Sequence, residues 1–441
     1  MRKIAIYLVI LLSCKLTSAQ MTEVPTRCNV SIVAGEVAYF SSDKFNPGMF
    51  QLGFEEVASA SSFNLTIRNT EDERYSLLLD EHSIQQYNFY TCLFPEGRYE
   101  LTLMADQPLT ITISKILHFQ YDSRRSICGD TDDRVQSFSS KCGRLAPAGC
   151  TAQLLSNGLL AMSGHCLYQS NTNVYNFSAN SIVEFNVPLS GPNTCGTFAC
   201  TNPSLPQDQY PINILPTMLH EYAWPSTCGR DWCLFQTLPN ANTGLTAFEA
   251  QGDFYYLTNL APSTSSDIII TGYGVDSDTP QLSQVQQTHS GENNGLSTLP
   301  NGGVMITYEA DTRGGNSGSA IQRVGNLDFS YGIHNNGGCV DGACTPELEN
   351  AGISFQYDNL EEAINDFYGD NTVHVSKVSN SSLESGTAFR PYDTVLEGQV
   401  NSTTSSENTV VLMTGTYDEA DVLLLQKPML IISPAGSSTI K

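Results

Sequence analysis

From Cys128 to about Asp370 the chain runs as many short apolar-polar segments broken by Gly, Pro and Asn, with almost no helical periodicity. Alternation with period two puts every second side chain on one face, so such segments bury their apolar faces by packing sheet on sheet or closing into a barrel. One stretch departs from this pattern. Leu360 to Phe367, with Asp358-Asn359 ahead as a cap and Gly369 behind, predicts a single short helix. An all-β body ending in one short helix points to a two-barrel architecture.

The flanks read differently. Met1-Arg2-Lys3 followed by the apolar run Ile4 to Cys14, with Thr17-Ser18-Ala19 before Gln20, has the form of a secretory leader over 1–19. No other stretch of about 20 apolar residues occurs, so a secreted chain with no membrane partner is expected. Residues 20–125 predict a small β-sandwich, carried by Ser61–Ile67, Tyr99–Met104 and Leu109–Ile113, with Cys28 and Cys92 available as a staple. Arg124-Arg125 follows in a Ser-flanked linker. It is either a processing point, which makes the first unit a propeptide, or two solvated charges. After the 126–370 body, residues 371–441 turn to Ser, Thr, Val and Asn. Gly386 to Lys441 resembles the first rung of a parallel β-helix, and a single rung cannot bury its own face.

Removing the leader, with Cys14, leaves twelve cysteines, an even number that in an exported chain favours disulfides. Cys195/Cys200 and Cys339/Cys344 are spaced to close short loops, and Cys228/Cys233 shares that spacing. Zinc is the competing reading, but paired knuckles are missing and the seven histidines are scattered, so no metal site is expected. A net charge of −24 disfavours nucleic acid and anionic membrane as partners. Asn29, Asn64, Asn176, Asn380 and Asn401 begin sequons that in a eukaryotic host are glycosylation candidates.

Three stretches carry chemistry. Asp311-Thr312-Arg313-Gly314-Gly315-Asn316-Ser317-Gly318-Ser319 sets a serine among glycines, which alone take positive φ without steric cost. That backbone suits a nucleophile whose neighbouring N–H groups face a developing oxyanion. It is equally a common polar turn. Cys150 to Cys166 reads as a hairpin around Ser156-Asn157-Gly158 that delivers His165 to a strand end. A Cys150–Cys166 disulfide would pin that histidine, although a His beside a structural cystine need do nothing. Asp231, in Gly229-Arg230-Asp231-Trp232, opens an apolar strand where a buried carboxylate can orient an imidazole. Asp253 has the same local look. It lies only 18 residues before the turn at Thr271, too few for two strands, against 40 for Asp231.

His165 in SGHC, Asp231 in DWCLFQ and Ser317 in GGNSGSA follow the order and spacing of trypsin-like serine endopeptidases. With IIITGYG, YEADTRGGNSGSAI, YGIHNNGG and AGISFQYDNLEEAINDF, the stretch from Cys128 to Phe367 most resembles the secreted bacterial-type glutamyl endopeptidases. The resemblance implies a two-barrel all-β fold and a catalytic triad of Ser317, His165 and Asp231. It also implies an oxyanion hole from the amides of Gly315 and Ser317, no cofactor, and protein or peptide substrates met by a monomer. Asn316 stands where many trypsin-like zymogens carry the Asp that pairs with a new N-terminal amine, so activation by that ion pair is not expected. His334 and Thr312 occupy positions that contact a substrate carboxylate in the glutamyl group, with Arg313 adding positive potential at the pocket's mouth. Asp311 conflicts with this, standing where trypsins select Lys or Arg. Cleavage after acidic residues is preferred over cleavage after basic ones. A catalytically silent binding or adhesion protein, and an esterase, are the other readings.

Overall fold

The computed structural model describes residues 4–5, 24–35, 37–41, 49–55, 62–119, 125–128, 131–169, 174–175, 180–191, 201–213, 219–221, 229–276, 278–337, 349–378, 384–402, 408–419 and 428–441. The architecture is all-β with few and short helices.

The N-terminal unit is a sandwich. One sheet orders Val37–Ser41, Arg98–Ala105, Phe63–Asn69 and Ser76–Asp80, with Ile4–Ala5 at its edge; the other orders Val24–Val33, Thr110–Phe119, Met49–Phe54 and Phe94–Pro95. Strict alternation does the sorting: in Phe63–Asn69 residues 63, 65, 67 and 69 are buried while the intervening ones are not. Leu65, Ile67, Leu101, Leu103, Ile111 and Phe50 meet in the core between the sheets. Cys92 is a fully buried free thiol rather than half of a staple with Cys28.

The body holds two β units. In the first, strands Leu160–Met162, Cys150–Leu154, Cys142–Ala146, Ile182–Glu184, Gln209–Asn213 and Trp232–Thr237 pair in that order, and the first pairs back onto the last, closing a barrel. The second is an eight-stranded sheet running Val135–Gln136, Gln287–Gly291, Ile268–Gly272, Ala320–Arg323, Gly332–Asn336, Asn350–Ser354, Val304–Tyr308 and Asn293–Thr298. Leu155, Ala161 and Leu234 from the barrel share one apolar cluster with Ala320, Ile333 and Ile353 from the sheet. The expected helix spans Asp358–Asn365 and seals that cluster with Leu360 and Ile364, one turn apart on one face. Asp358 and Asn359 lie inside it rather than capping it, and Tyr357 at the cap makes no side-chain cap bond. Acidic Asp358 and Glu361 sit in the first turn, where the helix dipole favours them.

The C-terminal extension is a short parallel solenoid. Thr372–Val375, Asn408–Leu412 and Met429–Ile432 stack in parallel, and Gly415–Tyr417 pairs in parallel with Ser438–Ile440. Stacking therefore begins before Gly386, and three strand levels enclose Val375, Val395, Val410, Leu412 and Tyr417. The extension also leans on the His-bearing hairpin. Pro434 lies where a Cβ on Gly158 would sit and Ala435 joins the barrel's core, while Tyr368, at the end of the body, donates from Oη to Asn157 O at 2.9 Å.

His374 is fully buried in this extension with neither ring nitrogen hydrogen-bonded, and burial pushes its pKa down to about 4. The unfolded chain, titrating near 6.5, takes up a proton that the folded state refuses. Stability is thus intact above about pH 6.5 and falls by about 1.4 kcal/mol per pH unit towards pH 4. His374→Leu is expected to stabilise by about 1–3 kcal/mol at pH 7, because an unpaired buried polar group is removed. The gain should widen at pH 5, as read from denaturant unfolding at both pH values.

Candidate active site

The barrel supplies an imidazole and a carboxylate. After Leu160–Met162 the chain tightens into the turn Gly164–Leu167, which carries His165. Gly164 is required for this approach: a Cβ there would lie 2.6 Å from Glu221 O and 3.1 Å from Asp231 Oδ1. The Cys150–Cys166 disulfide ties the turn to Cys150–Leu154. Asp231, 5% exposed, sits directly before Trp232–Thr237, and its backbone carbonyl accepts from Asn335 Nδ2 at 3.1 Å.

The second sheet supplies the hydroxyl. Ser317 lies in the turn between Thr312–Arg313 and Ala320–Arg323, flanked by Gly315 at φ +105° and Gly318 at φ +100°. Any side chain on Gly318 would collide with the carbonyl oxygen of Thr151. Thr151 buttresses the whole turn: its N–H donates to Ser317 O at 2.8 Å, and its hydroxyl donates to Gly315 O at 2.8 Å while accepting from Tyr273 N at 3.0 Å.

The three side chains form one hydrogen-bonded line. His165 Nδ1 is 2.6 Å from Asp231 Oδ2, and His165 Nε2 is 2.9 Å from Ser317 Oγ. Asp231 Oδ1 accepts from the His165 backbone N–H at 2.8 Å, so one carboxylate fixes both the ring and its backbone. An ionised carboxylate can only accept, so Nδ1 carries the proton and Nε2 is left to accept from the serine. In the turn, the amide of Asn316 donates to Arg313 O and that of Gly318 to His334 O. Among the described residues the amides of Gly315 and Ser317 have no such partner, leaving two donors beside the serine.

The remaining expected residues are placed as follows. Asp311 is held by the backbone: its side chain is fully buried, and its oxygens accept from Cys128 N at 2.8 Å and Asp133 N at 3.0 Å. His289 Nδ1 lies 2.8 Å from Asp311 N and 3.6 Å from Asp311 Oδ2. Arg313 stands elsewhere than at a pocket's mouth. It is 3% exposed and bridges Asp132 at 3.0 Å and Asp278 at 2.7 Å. Thr312 is wholly buried, and its backbone pairs with Ser126 in a two-residue ladder. His334 is buried, and burial, with His165 nearby disfavouring a second positive charge, pushes its pKa down to about 3. It is therefore a neutral imidazole and not an imidazolium. Tyr308 lies 2.6 Å from His334 Nδ1, and burial holds the phenol's pKa well up. The phenol thus keeps its proton and can donate to Nδ1 or accept from it, and the ring also hydrogen-bonds the Ala351 backbone.

Asn316 has a resident cation beside it. Arg134 Nη1 lies 3.4 Å from Asn316 Oδ1, and the same guanidinium pairs with Asp132 at 2.8 Å. Asp132 thereby pairs with both Arg134 and Arg313 and Asp278 with Arg313, while Asp276 beside them accepts from Gln287 Nε2 at 2.9 Å. Asp253 is not part of the site; it lies 3.7 Å from Lys141. Cys128 is also disulfide-bonded, whereas Cys142 and Cys233 are buried free thiols. Cys195, Cys200, Cys228, Cys339, Cys344 and Arg124 lie outside the described residues. Sequence reading missed Thr151, Tyr308, Arg134 and Gln284, because each acts through a fold contact that no local pattern announces.

No family model matches the chain, and no curated protein matches it. Among solved structures, a Glu endopeptidase in complex with MPD is similar over 54% of this chain and 99% of its own, at 18% identity and TM-score 0.35. The protease Anisep from Arthrobacter nicotinovorans is similar over 50% and 92%, at 14% identity and TM-score 0.36. Neuropsin, a serine protease expressed in mouse brain, is similar over 51% and 94%, at 14% identity and TM-score 0.33.

Proposed function

We propose that this chain is a secreted serine endopeptidase that hydrolyses peptide bonds through an acyl-enzyme on Ser317. The observation that carries this reading is the unbroken line Asp231–His165–Ser317, at 2.6 and 2.9 Å, beside two amides with no partner among the described residues. Ser317 Oγ attacks the scissile carbonyl while His165 Nε2 takes its proton, and Asp231 Oδ2 stabilises the imidazolium. The oxyanion is received by the N–H groups of Gly315 and Ser317. His165 then returns the proton to the leaving amine, and a water activated the same way releases the acyl group.

Specificity for acidic residues is the reading supported best. Both Asp311 oxygens are engaged by backbone amides, which leaves no carboxylate there for Lys or Arg. The neutral His334 ring stands where the resemblance puts a carboxylate-binding imidazole, and an arriving anion would offset the burial that keeps the ring uncharged. Substrates are proteins or peptides. The strong negative charge disfavours nucleic acid and anionic membrane, and a monomer suffices for the reaction.

A fluorophosphonate probe on the full chain should leave its adduct on the peptide carrying Ser317, as read by mass spectrometry. Peptides with Glu or Asp before the scissile bond should be cleaved at least about tenfold better than those with Lys or Arg, about 1.4 kcal/mol in discrimination. The reverse preference would replace the acidic reading. A folded sample that takes no adduct would leave a catalytically silent binding protein.

A further inference from the structure

The N-terminal sandwich meets the first barrel through a dry, bonded seam. Met49, Leu93 and Leu117 from the sandwich pack with Ala146 and Ile182 of the barrel. Around them the polar groups pair reciprocally. Gln51 Nε2 donates to Asn180 O at 3.1 Å and Asn180 Nδ2 to Gln51 Oε1 at 3.0 Å. Leu93 N donates to Gln209 Oε1 at 2.7 Å, and Gln209 Nε2 returns a bond to Leu93 O at 2.9 Å. Ala241 N donates to Tyr87 Oη at 2.7 Å. Buried amides so matched cost free energy to separate, since each must find a new partner. None of these barrel residues belongs to the triad or to the turn carrying Ser317. A unit that inhibited by plugging the cleft would touch them.

Among the described residues the seam reaches towards the site through Met49. Met49, itself fully buried, places Sδ 3.5 Å from Nη2 of Arg144, whose side chain is wholly buried. Arg144 Nη1 donates to Gln284 O at 2.9 Å. Gln284 is held at φ +57°, an unfavourable conformation for a residue with a side chain, so something must hold it there. Its Nε2 donates to Tyr273 O at 2.6 Å and Gly149 O at 3.1 Å, and it sits where a Cβ on Gly315 would have to go. Gly315 supplies one of the two unpartnered amides.

We propose that residues 24–119 form a permanent clamp: a unit that stays docked on the barrel when the connection to it is cut, and that steadies the oxyanion turn through Met49, Arg144 and Gln284. The second half rests on the endopeptidase reading above; the docking half does not. The triad line already stands in the uncut chain, so removing this unit gains no geometry and withdraws the cover over Arg144. Met49, Arg144 and Gln284 are positioning residues, since none touches the reacting atoms.

The test uses the full chain with a site-specific protease sequence inserted between residues 120 and 124. After cutting, the two pieces should co-elute on size exclusion at micromolar concentration and keep the uncut turnover. Separate elution overturns the docking half. Met49→Ala should lower kcat about tenfold with KM within about twofold, because a displaced oxyanion donor weakens the transition state more than substrate binding. Met49→Leu, which refills the volume over Arg144, should recover most of that loss. An unchanged kcat in Met49→Ala, or a KM rise with kcat constant, overturns the positioning half. Should the uncut chain take no fluorophosphonate on Ser317, the endopeptidase reading falls and the catalytic role of the clamp with it, while co-elution still decides the docking.

Discussion

Asp231→Asn is expected to cut turnover about ten-thousandfold while the protein stays folded. The reason lies in the two bonds one carboxylate makes. Oδ1 accepts from the His165 backbone N–H and Oδ2 from His165 Nδ1. An asparagine offers one oxygen and one NH2 in their place. If the oxygen stays on the backbone N–H, the NH2 faces Nδ1, and the ring must present a lone pair there. The proton then moves to Nε2, which can no longer accept from Ser317 Oγ. Steady-state kinetics should show the loss in kcat, with circular dichroism unchanged. A loss of less than about a hundredfold would mean that the Asp231 contact is structural only.

The second large effect is on stability. Glu184→Ala should cost about 3–5 kcal/mol in denaturant unfolding, with the m-value unchanged. Glu184 and Arg144 side chains are both fully buried, joined by Arg144 Nε to Glu184 Oε2 at 2.9 Å, and Ser204 N also donates to Glu184 at 2.9 Å. Removing the acid strands a guanidinium and an amide away from water. Replacing both partners together, Glu184→Leu with Arg144→Met, should recover much of the loss, because no buried charge then lacks its partner. A single-mutant cost below about 1 kcal/mol would show that water reaches the pair.

Much of the site was legible because its parts lie in rigid local contexts. Ser317 sits among glycines whose positive φ the turn requires, and His165 ends a hairpin announced by Asn157-Gly158 and tied by adjacent cysteines. Asp231 was separable from Asp253 by chain length alone, since strands and their connections take up residues. The surroundings of the specificity candidates were illegible for an equally physical reason. Asp311, Arg313 and His334 are polar, and position by analogy says nothing of which partners the fold supplies. Here those partners are the Cys128 and Asp133 amides, Asp132 and Asp278, and Tyr308. The helix boundary slipped by two residues at each end because Asp358 and Asn359 entered the first turn instead of preceding it. The staple between Cys28 and Cys92 was a counting inference; the sandwich core encloses Cys92 as a small apolar side chain.

The reacting groups are divided between two bodies. Imidazole and carboxylate hang from one barrel, while the hydroxyl and both oxyanion donors hang from the neighbouring sheet. On the proposed endopeptidase reading, chemistry is therefore a property of the join and belongs to neither half. A tilt of one body against the other by a fraction of an ångström parts the serine from its base without breaking a single strand. Residues remote from the cleft, such as the shared apolar contacts of Ala161, Leu234, Ala320 and Ile333, thus act as alignment pins. Under that reading, mutational drift in them would be felt first as a loss of rate and only later as a loss of fold.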